Sequence, residues 1–183
     1  MCKGLIKKDI MTSKEKGQAL IKAVAKGETA TLQTLLSAGA DVNAHNEHGY
    51  TALIYAANRS GTETLRLLLD AGADVNVKNR FGMTALMRAA FSDKPDNLRV
   101  LIAAGADLNA KDENGETALM WATRTGRTEN VEILRQAGAL SYDRGEESRF
   151  ATVQPRNTEY NPLYQKRSFF HRLRRFFGFD RSS

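Results

Sequence analysis

The chain has 183 residues, of which 42% are hydrophobic and 26% are charged, and its formal net charge is +6. This composition excludes a wholly disordered chain, and the one cysteine excludes a disulfide scaffold. No apolar run reaches the roughly 20 residues that span a bilayer, and the start lacks the apolar stretch of a secretory signal. We therefore expect a cytoplasmic protein without a signal peptide or transmembrane helix.

The charge is unevenly distributed, and this predicts four segments. Residues 1–15 form a basic leader that we expect to be flexible, and a long central domain follows at residues 16–140. From residue 17 onward this domain sums to −1. A polar linker at residues 141–163 leads to a tail at residues 164–183, whose net charge is +5. Arguments about partners that rest on positive charge therefore apply mainly to the ends of the chain.

The central domain repeats itself with a period of 33 residues. The landmarks of each period are a Gly-Ala pair, an Asp and an Asn after it, a turn glycine and a Thr-Ala-Leu tripeptide. The pairs begin at Gly39, Gly72, Gly105 and Gly138, followed by Asp41, Asp74 and Asp107 and by Asn43, Asn76 and Asn109; the turn glycines are Gly49, Gly82 and Gly115, and the tripeptides begin at Thr51, Thr84 and Thr117. No insertion or deletion breaks this spacing, so one structural unit is repeated.

Each period predicts a turn followed by two helices. Gly49 is suited to a positive φ in the turn, and Thr51 to capping the free amides of a first helix. The alanines that follow allow neighbouring helices to approach closely. Leucines at positions 65, 68 and 69 have the spacing of one face of a second helix. Gly72 is placed to end that helix in a left-handed cap.

The period and the pattern G-x-T-A-L…A-A…L-L-x-x-G-A-D-V-N resemble the ankyrin repeat family over residues 17–140. The T-A-L-M variant is similar to repeats common in bacterial proteins. The resemblance implies an all-α solenoid of helix-turn-helix units, with an N-terminal capping repeat and three full repeats. The tail sequence adds a separate C-terminal amphipathic helix, described below. The family's usual His between neighbouring loops is replaced by Ile54, Met87 and Met120. We expect hydrophobic contacts to substitute for its hydrogen bonds.

The resemblance also implies a non-enzymatic module that binds another protein through a concave surface of loop tips and first helices. The candidate contact residues lie between the repeated landmarks and are rich in the aromatic and arginine side chains typical of interfaces. They are Tyr50, Tyr55, Arg59, Arg80, Phe81, Met83, Arg88, Phe91, Glu116, Trp121 and Arg124. We expect Tyr50 and Phe81, beside the turn glycines, to be exposed. Tyr55, Phe91 and Trp121 either contact the partner or pack between helices.

The sequence contains no recognisable catalytic site. It has no glycine-rich phosphate loop, and the stretch that begins at Asp107 lacks the glycine of a calcium loop. His45 and His48 are interpreted as solvated loop residues rather than metal ligands. We therefore expect no enzymatic activity, no cofactor and no metal. We also expect a monomer whose repeats do not bind nucleic acid.

The tail predicts a short basic helix with an aromatic apolar face. On a helix the phenylalanines and Leu173 share one side, and most of the basic residues occupy the other. The residues that we assign to it are Phe169, Phe170, Arg172, Leu173, Arg174, Arg175, Phe176 and Phe177. Three interpretations remain open: docking on the end of the solenoid, binding to an anionic membrane surface, or binding to a partner groove or nucleic acid. The second defines an alternative function, a membrane-associated adaptor or bacterial effector localised by its tail.

Overall fold

The computed structural model describes residues 11–59, 61–92 and 94–140. Within these ranges the chain is helical, with one isolated β-bridge between His45 and Thr51. The helices are α1 (Ser13–Lys26), α2 (Thr29–Ser37), α3 (Ala52–Arg59), α4 (Thr62–Asp70), α5 (Ala85–Phe91), α6 (Pro95–Ala103), α7 (Ala118–Arg124) and α8 (Thr128–Gln136). The predicted all-α solenoid of helix pairs is confirmed, while the predicted tail helix lies outside the described residues.

The helices form two layers. The first helix of each pair contacts the first helix of the next, so that α1, α3, α5 and α7 form one row. Helices α4, α6 and α8 form a second row behind it, and each second helix also packs on the first helix of its own pair. Each unit therefore buries its apolar surface mainly against its sequence neighbours, as expected of a solenoid.

The core follows the predicted pattern closely. The predicted apolar face of the second helices is buried at Leu65, Leu68, Leu98 and Leu101, each with no exposed surface. The alanines of the first helices are equally buried at Ala56, Ala57, Ala89, Ala90 and Ala122. Their small side chains let the first helices pack closely, and substitution by larger residues would overpack the row.

Side-chain caps start the helices as predicted. The Oγ1 atom of Thr84 accepts a hydrogen bond from the amide of Met87, and Thr51 and Thr117 cap α3 and α7 in the same way. Helix α1 begins at Ser13, three residues before the predicted domain boundary at residue 16. Thr12 and Glu15 form a capping box there, which satisfies two backbone amides at the first turn.

Glycines end the second helices as predicted. Gly72 has a φ of 87°. The amide of Gly72 donates to the carbonyl oxygen of Leu69, and the amide of Ala73 donates back to that of Leu68. A residue with a Cβ adopts this left-handed conformation only at a cost of about 1–2 kcal/mol, which explains the recurrence of glycine at this point of each period.

An asparagine in each long loop joins its repeat to the next. The Oδ1 atom of Asn43 accepts from the amide of Asp74 at 2.8 Å, and its Nδ2 atom donates to the carbonyl oxygen of Gly72 at 3.2 Å. Asn76 makes the same two bonds one repeat later. Asn109 accepts from the amide of Leu140 at 3.0 Å. These bonds connect the loops of successive repeats.

A second asparagine row lies inside the helix layers. Asn97 and Asn130 are both 2% exposed. Asn97 donates to the carbonyl oxygen of Ala57, and Asn130 donates to those of Ala89, Ala90 and Ser92. Each buried amide thus donates to carbonyl groups in the last turn of the preceding repeat's first helix, where few intrahelical donors remain.

Candidate protein-binding surface

We define the inner surface as helices α3, α5 and α7 together with the turns at residues 46–50, 79–83 and 112–116 that precede them. Neighbouring turns are joined by backbone hydrogen bonds. The amide of Arg80 donates to the carbonyl oxygen of His48, and that of Glu113 donates to the carbonyl oxygen of Phe81, both at 3.1 Å. A Cβ atom on Gly82 would lie 2.8 Å from the amide nitrogen of Glu113. The glycine is therefore needed for this close approach as well as for its φ of 71°.

Each turn is also closed by the side chain at its first position, which is Asn46, Asn79 or Asp112. In all three the Oδ1 atom accepts from the amides two and four residues later, at distances of 2.8 to 3.0 Å. In Asn46 and Asp112 the other side-chain atom bonds to the first helix of the same repeat. The Nδ2 atom of Asn46 donates to the hydroxyl of Tyr55 at 3.3 Å, whereas the Oδ2 atom of Asp112 accepts from the indole Nε1 of Trp121 at 2.9 Å.

The first cluster comprises Tyr50, Tyr55 and Arg88. The two tyrosine rings lie 5.2 Å apart, and the Arg88 guanidinium lies over the Tyr50 ring at 5.8 Å from its centre. Arg88 is only 3% exposed. Loss of solvent lowers the pKa of its guanidinium to about 10, although the Tyr50 and Tyr55 hydroxyls act in the opposite direction. Burial likewise raises the pKa of Tyr50, against the effect of the Arg88 charge.

The second cluster comprises Phe91, Asp112, Glu116, Trp121 and Arg124. Phe91 and Trp121 pack edge to face with ring centres 6.1 Å apart, and the Arg124 guanidinium lies 5.4 Å from the centre of the Trp121 ring. Arg124 also forms an ion pair with Glu116. The arginine charge in the second cluster is therefore neutralised by a carboxylate of the preceding turn.

The structure places the predicted contact residues at different depths. Arg59, Arg80 and Arg124 are exposed, and Tyr55, Phe81, Phe91 and Glu116 are half-buried. Tyr50, Met83, Arg88 and Trp121 are buried, at 5%, 0%, 3% and 3% exposure.

The prediction that Tyr50 is exposed is wrong. Its ring is covered by Arg88 of the next repeat and packs on Tyr55. Met83 occupies the equivalent position one period later and is buried as well. Phe81, the other residue predicted to be exposed beside a turn glycine, is half-buried. The four buried residues therefore support the surface but offer little area to a partner. They are Tyr50, Met83, Arg88 and Trp121.

Sequence reasoning missed the row of Asn46, Asn79 and Asp112. These residues are spaced 33 apart like the other landmarks, so the period itself was the available signal. Their partners Tyr55 and Trp121 lie nine residues later and are spaced by two periods. The hydrogen bonds between the two rows form only because the turn folds back onto the helix, so the spacing alone does not predict them.

Metal-ligand clusters and membrane-spanning helices are both absent from the residues that the structure describes. In the described part of the chain, no three His, Cys, Asp or Glu side chains come together as ligands for a metal ion. His45 and His48 are both exposed. Across residues 11–140, apart from positions 60 and 93, the helices lack the length and apolar character needed to cross a bilayer.

The geometry defines a helical repeat solenoid with an ordered row of turns, and the comparison with protein families agrees. A model of ankyrin repeats in three copies matches residues 1–79 and 60–144. The chain therefore belongs to the ankyrin repeat family, as the sequence predicts. Repeats of this family are generally protein–protein interaction modules, and the family is typically non-enzymatic. No curated protein matches the chain.

Proposed function

We propose that this protein is a non-enzymatic module that binds a partner protein through its inner surface. The observation that carries the proposal is the partial exposure of Tyr55, Phe81 and Phe91 beside the exposed arginines Arg59 and Arg124. Aromatic and arginine side chains contribute a large share of binding free energy at protein interfaces, because they bury a large area and also offer polar contacts.

The rigidity of the turns supports the same proposal. The turn that carries Phe81 is closed by Asn79 and bonded to the next turn through the Phe81 carbonyl oxygen. Phe91 is held against Trp121. A surface that is ordered before binding loses less conformational entropy when the partner arrives.

The test is partner capture by the immobilised full-length protein. Phe81→Ala and Phe91→Ala should each lower the affinity for the captured partner by about tenfold or more, as expected for interface hot spots. Leu67→Ala is the matched control, since Leu67 is a half-buried apolar residue of α4 in the other layer. The proposal is contradicted if the control loses as much partner as the two phenylalanine variants do, or if no variant loses any.

We propose the membrane-associated adaptor as a second candidate, favoured by the sequence of residues 164–183. Five phenylalanines and six lysines and arginines are interspersed there. This combination is typical of helices that lie in an anionic membrane surface. These residues lie outside the described part of the chain. Full-length protein should sediment with anionic vesicles, and the pair Phe176→Ser and Phe177→Ser should abolish this while Phe81→Ala leaves it unchanged. Sedimentation that the serine pair does not reduce would rule out this role.

A further inference from the structure

The third turn of the inner surface contains the chain's one Asn-Gly pair. Asn114 and Gly115 occupy the places that His48 and Gly49 hold in the first turn. Both Asn114 and Gly115 are exposed. In the described part of the chain, Asn114 is bonded through its backbone amide rather than through its side chain. Its side-chain amide is therefore open to attack by the backbone nitrogen that follows it.

The asparagine rows of the repeats are held differently. Asn43 and Asn76 each use both side-chain atoms to join neighbouring loops, and Asn97 and Asn130 are buried. Each of these four precedes a residue with a side chain, which hinders the approach of the following backbone nitrogen. Glycine lacks a Cβ and permits that approach, so Asn114 is the most reactive asparagine of the described repeats.

The third turn is also less enclosed than the first. The amide of Gly115 donates to the carbonyl oxygen of Asp112 at 2.9 Å, so the turn must open before the Gly115 nitrogen can react. In the first turn a Cβ on Gly49 would lie 2.9 Å from the amide nitrogen of Arg80, whereas no described atom lies within 4 Å of the same point on Gly115. Opening the third turn therefore breaks fewer contacts with a neighbouring turn.

We propose that Asn114 is a site of spontaneous deamidation and that the isoaspartate formed there alters the second cluster. Hydroxide removes the amide proton of Gly115, and the nitrogen attacks Cγ of Asn114. The new N–Cγ bond closes a succinimide ring, while the Cγ–Nδ2 bond breaks and Nδ2 leaves as ammonia after taking a proton from water. Water then opens the ring at one of its carbonyl carbons, which gives aspartate or isoaspartate.

The isoaspartate product lengthens the main chain inside a closed turn. The Oδ1 atom of Asp112 accepts from the amides of Asn114 and Glu116, at 2.8 and 2.9 Å, on either side of the inserted carbon. The Oδ2 atom of the same carboxylate accepts from the Trp121 indole, so a shift of Asp112 reaches the buried ring. The turn belongs to the inner surface, and an effect on partner binding therefore rests on the proposed function, whereas the modification itself does not.

The experiment incubates the full-length protein in warm, mildly alkaline buffer and follows each asparagine by peptide mass mapping. Isoaspartate is counted by methyl transfer from a labelled donor with an isoaspartyl methyltransferase. Asn114 should convert before every other asparagine, at a rate that rises about tenfold per pH unit, since the deprotonated fraction of a weak acid rises in that proportion. The emission of Trp121, the one tryptophan of the chain, should shift to longer wavelength as isoaspartate accumulates.

His48→Asn is the matched control, because it makes residues 47–49 identical to residues 113–115. In the folded protein this new asparagine should convert about fivefold more slowly than Asn114. Opening the first turn also breaks the hydrogen bond from the Arg80 amide to the His48 carbonyl oxygen, and one hydrogen bond accounts for a difference of that size. In concentrated urea the two positions should convert at equal rates.

Two substitutions at the site separate its charge from its main-chain change. Asn114→Gln should prevent both the conversion and the emission shift, and Asn114→Asp should leave the emission as in fresh protein. The proposal is overturned if another asparagine converts first, if position 48 of the control converts as fast as Asn114 in the folded state, or if the emission stays constant while isoaspartate accumulates. Partner capture that depends on Phe81 while Asn114 stays intact would leave the proposed function standing and remove only the modification.

Discussion

The two clusters of the inner surface occupy equivalent places in successive repeats but treat their arginines differently. Positions 55, 88 and 121 are one period apart and hold Tyr, Arg and Trp. In the first cluster the arginine at this position is buried over the Tyr50 ring. In the second cluster the position holds Trp121, and the arginine lies one turn later at the surface, where it is paired with Glu116.

This difference shows how one backbone unit produces two kinds of surface. Burying Arg88 costs solvation, which is why its pKa is lowered, but it fixes a positive charge over the Tyr50 ring. Pairing Arg124 with Glu116 cancels the charge and leaves the Phe91 and Trp121 rings as the main feature. The first cluster thus carries a buried positive charge, whereas the second presents a paired charge and two aromatic rings.

The largest expected effect comes from exchanging the turn residue of the second cluster. Asp112→Asn keeps an oxygen for the amides of Asn114 and Glu116 but turns an amide N–H towards the indole N–H of Trp121. Two donors then face each other in a site that is 7% exposed at Asp112. We expect the free energy of unfolding to fall by about 2 kcal/mol, the cost of buried donors without an acceptor. Urea denaturation followed by circular dichroism measures this change.

The first cluster provides the control for that exchange. Asn46→Asp replaces the amide that donates to Tyr55 by a carboxylate oxygen, and the Tyr55 hydroxyl can turn to donate instead. We expect a loss below about 1 kcal/mol. In a Trp121→Phe background the effect of Asp112→Asn should shrink in the same way, and an undiminished effect there would show that the indole bond is not its cause.

The contrast between the clusters also shows which parts of the structure the sequence reveals. The helices were predictable because their caps are local: Thr84 and Gly72 act on backbone groups within a few residues. The burial of Tyr50 was not, because the side chain that covers it, Arg88, belongs to the next repeat. The hydrogen bond between Asp112 and Trp121 forms only when the turn folds onto the helix. The pattern of hydrophobic residues within one repeat does not predict it.

The second prediction concerns a substitution that gives the first cluster a carboxylate in its turn, as Asp112 does in the second cluster. Asn79 stands nine residues before Arg88, as Asp112 stands nine before Trp121, and its amide lies beside Tyr50. Asn79→Asp therefore places a carboxylate close to the Arg88 guanidinium. We expect the pKa of Tyr50 to rise further, because the substitution removes the Asn79 hydrogen bond and offsets the Arg88 charge, both of which lower it. The measurement is a tyrosinate absorbance titration of wild type and variant, each compared with its Tyr50→Phe derivative.

A control for the Asn79 substitution must change the net charge without touching the inner surface. Gln33→Glu does this, since Gln33 is exposed on α2, and at physiological salt it should leave the pKa of Tyr50 unchanged. Equal pKa shifts in the two variants would mean that only the overall charge of the protein matters and that position 79 has no specific effect on the first cluster.

The smallest expected effect concerns the ionisation of Tyr50, where burial and the Arg88 charge act in opposite directions. Burial is the larger cause, so the pKa of Tyr50 is raised above its ordinary value of 10.0. The folded protein then keeps a proton that the unfolded chain releases, and stability falls as the pH rises through about 10 until the folded pKa is reached. Titrating tyrosinate absorbance in wild type and in Tyr50→Phe isolates this group among the five tyrosines, and denatured protein gives the reference. A difference curve with its midpoint above that reference supports burial as the dominant cause. A midpoint below it would mean that the Arg88 charge outweighs burial, and that the first cluster is more open to solvent than its packing shows.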